Sequence, residues 1–502
     1  MSAPNADAVR VARNFSALVL ASLFSKGLLF VWQIVLGNLF APYEYGVYNT
    51  VTSLMAVSSS VVGLGMGLIM IREVARKPDR IGDYWSAMLT MQTIFSLIAY
   101  ILILLTAMSS GYEPLILAYT AIGGISLIVD MFGNISFDLL IAQEKMTITA
   151  LVEVAHIIAR ISLAGLVLAA GYGLLGIYVV TILTGIGRSI VLNLANVRLG
   201  HHPNFPVNRS LALSLLRDGL PLALSGFLSL AYQHADKLMT TAIIGATFTG
   251  LLGPAFVINY GMIEVISTTI IVAIYPMLSR SYTDNRAMYS LIVEKLARFM
   301  LIVALPLTLT FSIFARPIIL TIYRPEYEPT AQILSILIWS TLLMMVGNVF
   351  SKALLVQNKQ RVSLMIRALC LGVNVALNAY FLHTFRDPRG TALATVIAEG
   401  LSLILSASVF RVDGFSWARV LPAMGRVVLL GGVTAGVMLT IGQVNWVVGA
   451  IAGLVVYALG ILFGRVLSHD DWLFIMRFMS ALPLGNRLHV VWARLGIPHQ
   501  AL

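Results

Sequence analysis

The sequence predicts an all-α polytopic membrane protein, and three observations carry that prediction. Apolar segments of about 20 residues recur along nearly all of the 502-residue chain, each long enough for a transmembrane helix. Charged residues make up 11% of the chain and hydrophobic ones 59%, too little charge to cover the surface of a soluble protein of this size. Lys and Arg collect in the connections on one side of the apolar segments. No run shows the alternating polarity, in segments of about ten residues, that a transmembrane β-barrel needs.

Fourteen spans are expected, at 15–40, 46–71, 86–108, 114–142, 148–170, 174–196, 219–245, 252–279, 294–316, 330–356, 362–384, 390–410, 418–441 and 446–466. The first run, Phe15–Phe40, is too long for a cleavable signal peptide and lacks a small-residue cleavage site; it reads as a signal anchor. With the N-terminus in the cytoplasm, 24 of the 33 Lys and Arg residues lie on the cytoplasmic side. Only Arg316, Arg324, Arg386 and Arg389 lie opposite, and Lys26, Arg160, Arg188, Lys237 and Lys352 lie within spans. This bias puts both termini on the cytoplasmic side of a plasma (inner) membrane. The net charge of +11 is spread over short loops, which suits anionic membrane lipid and argues against nucleic acid. A single cysteine, Cys370, excludes an internal disulfide and a Cys-based metal cluster.

An internal repeat organises the spans. LIAQEK at 140–145 matches LLVQNK at 354–359, an offset of 214 that persists from Gly176 to Gly390 and from Thr181 to Thr395. Upstream, Gly37 in VLGNLF matches Gly245 in IIGATF at an offset of 208. Two pseudo-symmetric six-helix lobes plus two extra C-terminal helices are therefore expected. The N-lobe takes 1–200, a cytoplasmic linker 201–216, the C-lobe 217–412, spans 13 and 14 413–467, and a cytoplasmic amphipathic tail 468–502. Parallel repeats of six spans are a transporter architecture, with the substrate site between the halves.

The ionisable residues inside spans are the candidate functional groups, because each costs on the order of 3 kcal/mol in hydrocarbon. The stretch LSLAYQHADKLMTTAI, 228–243, carries His234, Asp236 and Lys237 in the seventh span. At about 100° per residue these share a broad polar arc with Gln233, Thr240 and Thr241, which must face protein or water. Lys26 maps onto His234 at the offset of 208, so each lobe offers a potential cation at one depth. Asp130, Asn134 and Asp138 form one stripe on the fourth span; Glu153, His156 and Arg160 form another on the fifth. These two stripes are expected to pair as an ion network within the N-lobe, with Arg160 near Asp130. Glu264 is a second candidate, after Asp236, for proton or cation coupling. Asn374 and Asn378 share a helix face and read as polar packing.

Catalytic chemistry is not expected. No G-x-x-x-x-G-K-[ST] loop occurs, so no ATPase is built in. GLGMGL at 63–68 lies inside a span and reads as close helix packing. His201 and His202 lack further ligands at metal-site spacing. Pro221, Pro254, Pro276 and Pro306 are expected to bend or break spans seven to nine.

The run ASLFSKGLLFVWQIVLGNLFAPYEYGVYNTVTSLMAV, with its Gly37, Gly46 and Tyr48 spacing, resembles the start of polysaccharide-biosynthesis flippases. So does RDGLPLALSGFLSLAYQHADKLMTTAIIG at 217–245, and the LIAQEK and LLVQNK loops complete the likeness over about 10–465. The chain is similar to the oligosaccharide flippase branch of the multidrug/oligosaccharidyl-lipid/polysaccharide exporter superfamily. The resemblance implies two lobes around a cavity lined by spans 1, 2, 7 and 8. It implies alternating-access transfer of a polyprenyl-pyrophosphate-linked saccharide to the outer leaflet. Lys26, His234 and Lys237 would then meet the pyrophosphate, and Asp236 or Glu264 would balance the empty cavity or carry a coupling H+ or Na+. No other cofactor is expected. Membrane lipid and a polysaccharide polymerase or ligase are the expected partners. Two alternatives stand beside this reading: a cation-coupled multidrug exporter, and a non-transporting scaffold of a glycan synthesis complex.

Overall fold

The computed structural model describes residues 4–463, which are helical with no strand. The tail expected over 468–502 lies outside the described residues. The first half runs α1 (Pro4–Leu39), α2 (Pro42–Gly63), α3 (Met66–Arg76), α4 (Ile81–Ser109), α5 (Pro114–Ala142), α6 (Met146–Ala169) and α7 (Gly173–Arg198). Then come α8 (Arg209–Ile244), α9 (Ala246–Met262), a π-helical segment (Ile263–Thr268), α10 (Thr269–Asp284), α11 (Arg286–Ile313) and α12 (Ala315–Ile322). The last are α13 (Thr330–Val356), α14 (Gln360–Phe385), α15 (Arg389–Val409), α16 (Trp417–Gly442) and α17 (Trp446–Phe463). Among the described residues, 14 helical stretches are long and apolar enough to cross a membrane, and each falls on an expected span.

Two spans are not single helices. The second breaks into α2 and α3 where Leu64 and Gly65 take left-handed angles, φ 40° and 68°. There GLGMGL does pack closely: a Cβ on Gly65 would lie 2.5 Å from the Gly219 carbonyl oxygen of α8, and one on Gly219 would lie 2.5 Å from that of Leu64. The eighth span is α9, the π segment and α10 in succession. Pro221, Pro254, Pro276 and Pro306 all lie inside continuous helices. The α-helical pattern in this region changes at the π segment, whose hydrogen bonds run from i to i+5.

The chain divides into two compact units. One takes the chain to Gly261 with Ile319–Leu337 and Leu364–Ala398; the other takes Met262–Ile318, Ile338–Ser363 and the chain from Glu399 on. In the first unit the α1–α2 turn is clasped by the α12–α13 connection. Asn38 Nδ2 donates to the Ile322 carbonyl (2.8 Å) and the Tyr327 hydroxyl to that of Phe40 (3.0 Å). The Tyr323 ring fills the space a side chain at Gly37 would take. Tyr112, in the α4–α5 connection, donates to the Leu238 carbonyl of α8 (3.0 Å); burial pushes its hydroxyl up to about 12, so it stays a donor at neutral pH.

The tightest crossing in this unit joins α2 to α9. Pro42 opens one helix and Ala246 the other, and the fifth residue of each is glycine. A Cβ on Gly46 would fall on the Ala246 carbonyl, and one on Gly250 on the Pro42 carbonyl. The contact is reciprocal and backbone to backbone, the small-residue packing that lets membrane helices approach closely.

The second unit is held by aromatic packing. Phe350, Phe410, Phe415 and Trp417 form one cluster, with Phe415 and Trp417 centroids 4.9 Å apart. Tyr289 packs on Phe410 and donates to the Ala353 carbonyl (2.8 Å). The two C-terminal helices belong here: Leu305 of α11 lies against Gly431 of α16, and the Tyr457 hydroxyl of α17 donates to the Ile302 carbonyl (3.0 Å).

The glycine crossing gives a direct test. Gly46→Leu and Gly250→Leu each place a side chain on a main-chain carbonyl that cannot yield, so each is expected to cost about 3 kcal/mol, at the upper end of overpacking. Thermal unfolding of detergent-purified protein reads this as a lowered midpoint. Gly27→Ala, with nothing within 4 Å of the new methyl, leaves the midpoint unchanged or slightly raised.

Candidate functional site

Inside the first unit, residues of α1 to α7 line a partly open cavity of about 860 Å³. Its polar walls come from the stripes singled out in the sequence. Asp130, Asn134 and Asp138 of α5 face it, as do Glu153 of α6 and Lys26 of α1. Helical periodicity explains the alignment, since positions four apart stack on one face.

The pairing within this network differs from the expected one. Arg188 of α7 is the organising cation. Its Nε donates to Glu153 Oε1 (2.5 Å), its NH1 to Asn134 Oδ1 (3.1 Å), and its guanidinium lies 5.8 Å from the Phe137 ring centroid. The Arg188 side chain is only 9% exposed. Arg160 is close enough to Asp130 for their charges to interact, as the sequence suggests, but it does not line the cavity. His156, one turn from Glu153, has a buried Nε2 with no hydrogen-bond partner among the described residues. The expected network of two helices is thus a network of three. The long Arg188 side chain reaches across because Gly133 of α5 leaves room: a Cβ there would lie 2.6 Å from its NH1.

The seventh span, α8, holds the other candidates, and its polar arc serves two seams. Toward α2, His234 Nδ1 lies 3.0 Å from Ser53 Oγ and Lys237 Nζ donates to Asn49 Oδ1 (3.1 Å). Thr241 Oγ1 lies 2.6 Å from Thr50 Oγ1, and the Lys237 ammonium is 5.8 Å from the Phe256 ring centroid. Toward α14 and α15, Asp236 is enclosed, 1% exposed, and accepts three hydrogen bonds. Asn374 Nδ2 (3.0 Å) and Asn378 Nδ2 (2.7 Å) donate to Oδ1, and Thr395 Oγ1 (2.7 Å) to Oδ2. Arg367 of α14 donates to Ser229 Oγ two turns below (3.2 Å). A buried carboxylate without such donors would be costly, and three of them make it tolerable.

The structure therefore does not bring Lys26 together with His234 and Lys237. Lys26 joins the acids of the cavity, whereas His234 and Lys237 are engaged by α2. Glu264 sits in the π segment, in the second unit. Asn374 and Asn378, read from sequence as polar packing, prove to be the partners of Asp236, and Arg188 was counted in the sequence without a partner. The signal for both was present: each is a polar residue in a span, and each such residue needs a mate.

Similar folds occur in known transporters. "Lipid II flippase MurJ, inward closed conformation" is 15% identical, with a TM-score of 0.71 over 90% of this chain and 99% of that one. An inward-facing multidrug resistance MATE family transporter of the MOP superfamily is 16% identical, with a TM-score of 0.61 over 80% and 96%. The eukaryotic MATE transporter AtDTX14 is 13% identical, with a TM-score of 0.53 over 80% and 96%. The MatE family model matches residues 221–380, and no curated protein matches by sequence. The fold is thus similar to that of these transporters. The model of the polysaccharide biosynthesis protein family matches residues 11–282, and the chain belongs to that family.

The Arg188–Glu153 pair is testable by a double-mutant cycle. Arg188→Ala strands Glu153 in the membrane interior and is expected to cost about 2–3 kcal/mol. Glu153→Gln in the same background recovers part of that loss. The midpoint of thermal unfolding in detergent reads both, and additive effects would show that the pair is not coupled.

Proposed function

We infer that the protein is a flippase that moves a polyprenyl-pyrophosphate-linked saccharide from the cytoplasmic to the outer leaflet by alternating access, with transport and no catalysis of its own. The observation that carries this reading is the charge-lined cavity of about 860 Å³ inside the fold of a chain of the polysaccharide biosynthesis family. An anionic headgroup crossing a low-dielectric interior needs cations close by. Lys26 offers one at the cavity wall. His234 and Lys237 are the reserve: their bonds to Ser53 and Asn49 would part when α8 moves from α2, freeing both for the pyrophosphate. The protein works in the plasma (inner) membrane with both termini cytoplasmic, and polymerase or ligase proteins act on what it delivers.

Asp236 is the candidate coupling group, for H+ or Na+. Its surroundings fit either ion. A proton would sit on the enclosed carboxylate. A Na+ would take oxygens from Asp236, Thr395 and the amides of Asn374 and Asn378, and Asn378 Oδ1 is a buried oxygen without a hydrogen-bond partner. Glu264, in the second unit, is the second candidate.

The test uses a deletion strain of the native host, with lipid-linked saccharide quantified on the inner leaflet. Wild type is expected to prevent accumulation, and Lys26→Ala with Lys237→Ala to permit it at equal protein level. The MatE match over 221–380 favours a second reading, a cation-coupled drug exporter. No accumulation in the deletion strain, with changed sensitivity to cationic drugs, would establish that reading instead. In proteoliposomes Asp236→Asn, which keeps the shape and an acceptor, is expected to remove the response of transport to an imposed H+ or Na+ gradient. An unchanged response would pass the role to Glu264.

A further inference from the structure

The cavity of the first unit is far larger than one inorganic ion needs and lies within the range of about 300–1,000 Å³ typical of small-molecule sites. Its walls carry both signs of charge. Asp130, Asp138 and Glu153 supply acceptors, and Lys26 and Arg188 supply donors, with Arg160 interacting with Asp130 from just outside. Three carboxylates and two cations thus line it. A bare cation requires a compact cage of oxygens, and Lys26 and Arg188 among the walls oppose one. A pyrophosphate placed among three carboxylates would meet like charge at short range.

Two further groups point to a ligand rich in hydrogen bonds. Gln92 is 4% exposed and lines the cavity, yet its amide bonds to no other described residue. Ser25 is 7% exposed, also lines it, and its Oγ is without a partner among the described residues. A buried hydroxyl left unmet is costly, and an amide on the cavity wall can donate and accept, so a ligand from outside the chain could meet both. Asp130 and Asp138 are likewise without a hydrogen bond or ion pair among the described residues.

We propose that this cavity receives the uncharged sugar units of the lipid-linked saccharide; this rests on the flippase reading above. Sugar hydroxyls both donate and accept. They can meet the carboxylate oxygens of Asp130 and Asp138 and the Gln92 amide together, without bringing further negative charge beside the three carboxylates.

The test compares two probes with the full chain in proteoliposomes: a polyprenyl pyrophosphate bearing one neutral hexose, and the same lipid bearing a neutral trisaccharide. Gln92→Ala and Asp138→Asn are expected to lower the ratio of trisaccharide to monosaccharide transfer about tenfold, the worth of a lost specific polar contact. An unchanged ratio overturns the proposal, whether both rates fall together or neither falls, and leaves the flippase reading standing. Transfer of neither probe by the wild type overturns the flippase reading and this one with it.

Discussion

In hydrocarbon an unmet carboxylate or ammonium costs several kcal/mol, and α8 carries both at adjacent positions. Asp236 and Lys237 are 100° apart on that helix, so they cannot share one neighbour. Asp236 finds its three donors on α14 and α15, while Lys237 finds Asn49 on α2. That division fixes the rotation of α8 about its axis. Once the rotation is set, His234 meets Ser53, Thr241 meets Thr50, and Gly219 meets the break at Leu64–Gly65. A helix of 36 residues is thereby located at three depths by groups that hydrocarbon alone would exclude.

The interior of the first unit handles polarity in two ways, and the difference matters for function. Around Asp236 every donor points at an acceptor and the group is sealed. Around Asp130, Asp138 and Gln92 the walls stand apart, and the Ser25 hydroxyl there has no hydrogen-bond partner among the described residues. A sealed set can respond only to something small, a proton or a bare ion. An open set of both signs can be met by a larger group with many hydroxyls. One unit thus holds a sealed polar set and an open one at separate places.

Most of the fold was legible in the sequence because the bilayer imposes one strong rule, a run of about 20 apolar residues per span. The fourteen expected spans are the fourteen found. The break at Leu64–Gly65 was hidden because Gly63–Leu68 is apolar on both sides, and hydropathy does not register a change of φ. The short α12 lies almost wholly between the ninth and tenth expected spans; buried Tyr323 and Tyr327 follow it beside the α1–α2 turn, a contact nearly 300 residues apart in sequence. The site was legible as a set of residues and not as a set of pairs. Glu153 and Asp138 were visible as stripes, but nothing in their spacing says that Arg188 is the cation between the helices. Asp236 was visible as an expense; that Asn374 and Asn378 meet it follows only once α14 lies beside α8.

The crossing of Gly46 with Gly250 has one further consequence. Each helix offers the other a bare stretch of main chain, and each receives the other's carbonyl where its own side chain would be. Such a joint holds no rotamers, so nothing must be reset when its faces part and meet again. It behaves like two flat keys milled from the same blank: either they lie flush in one register, or they do not touch.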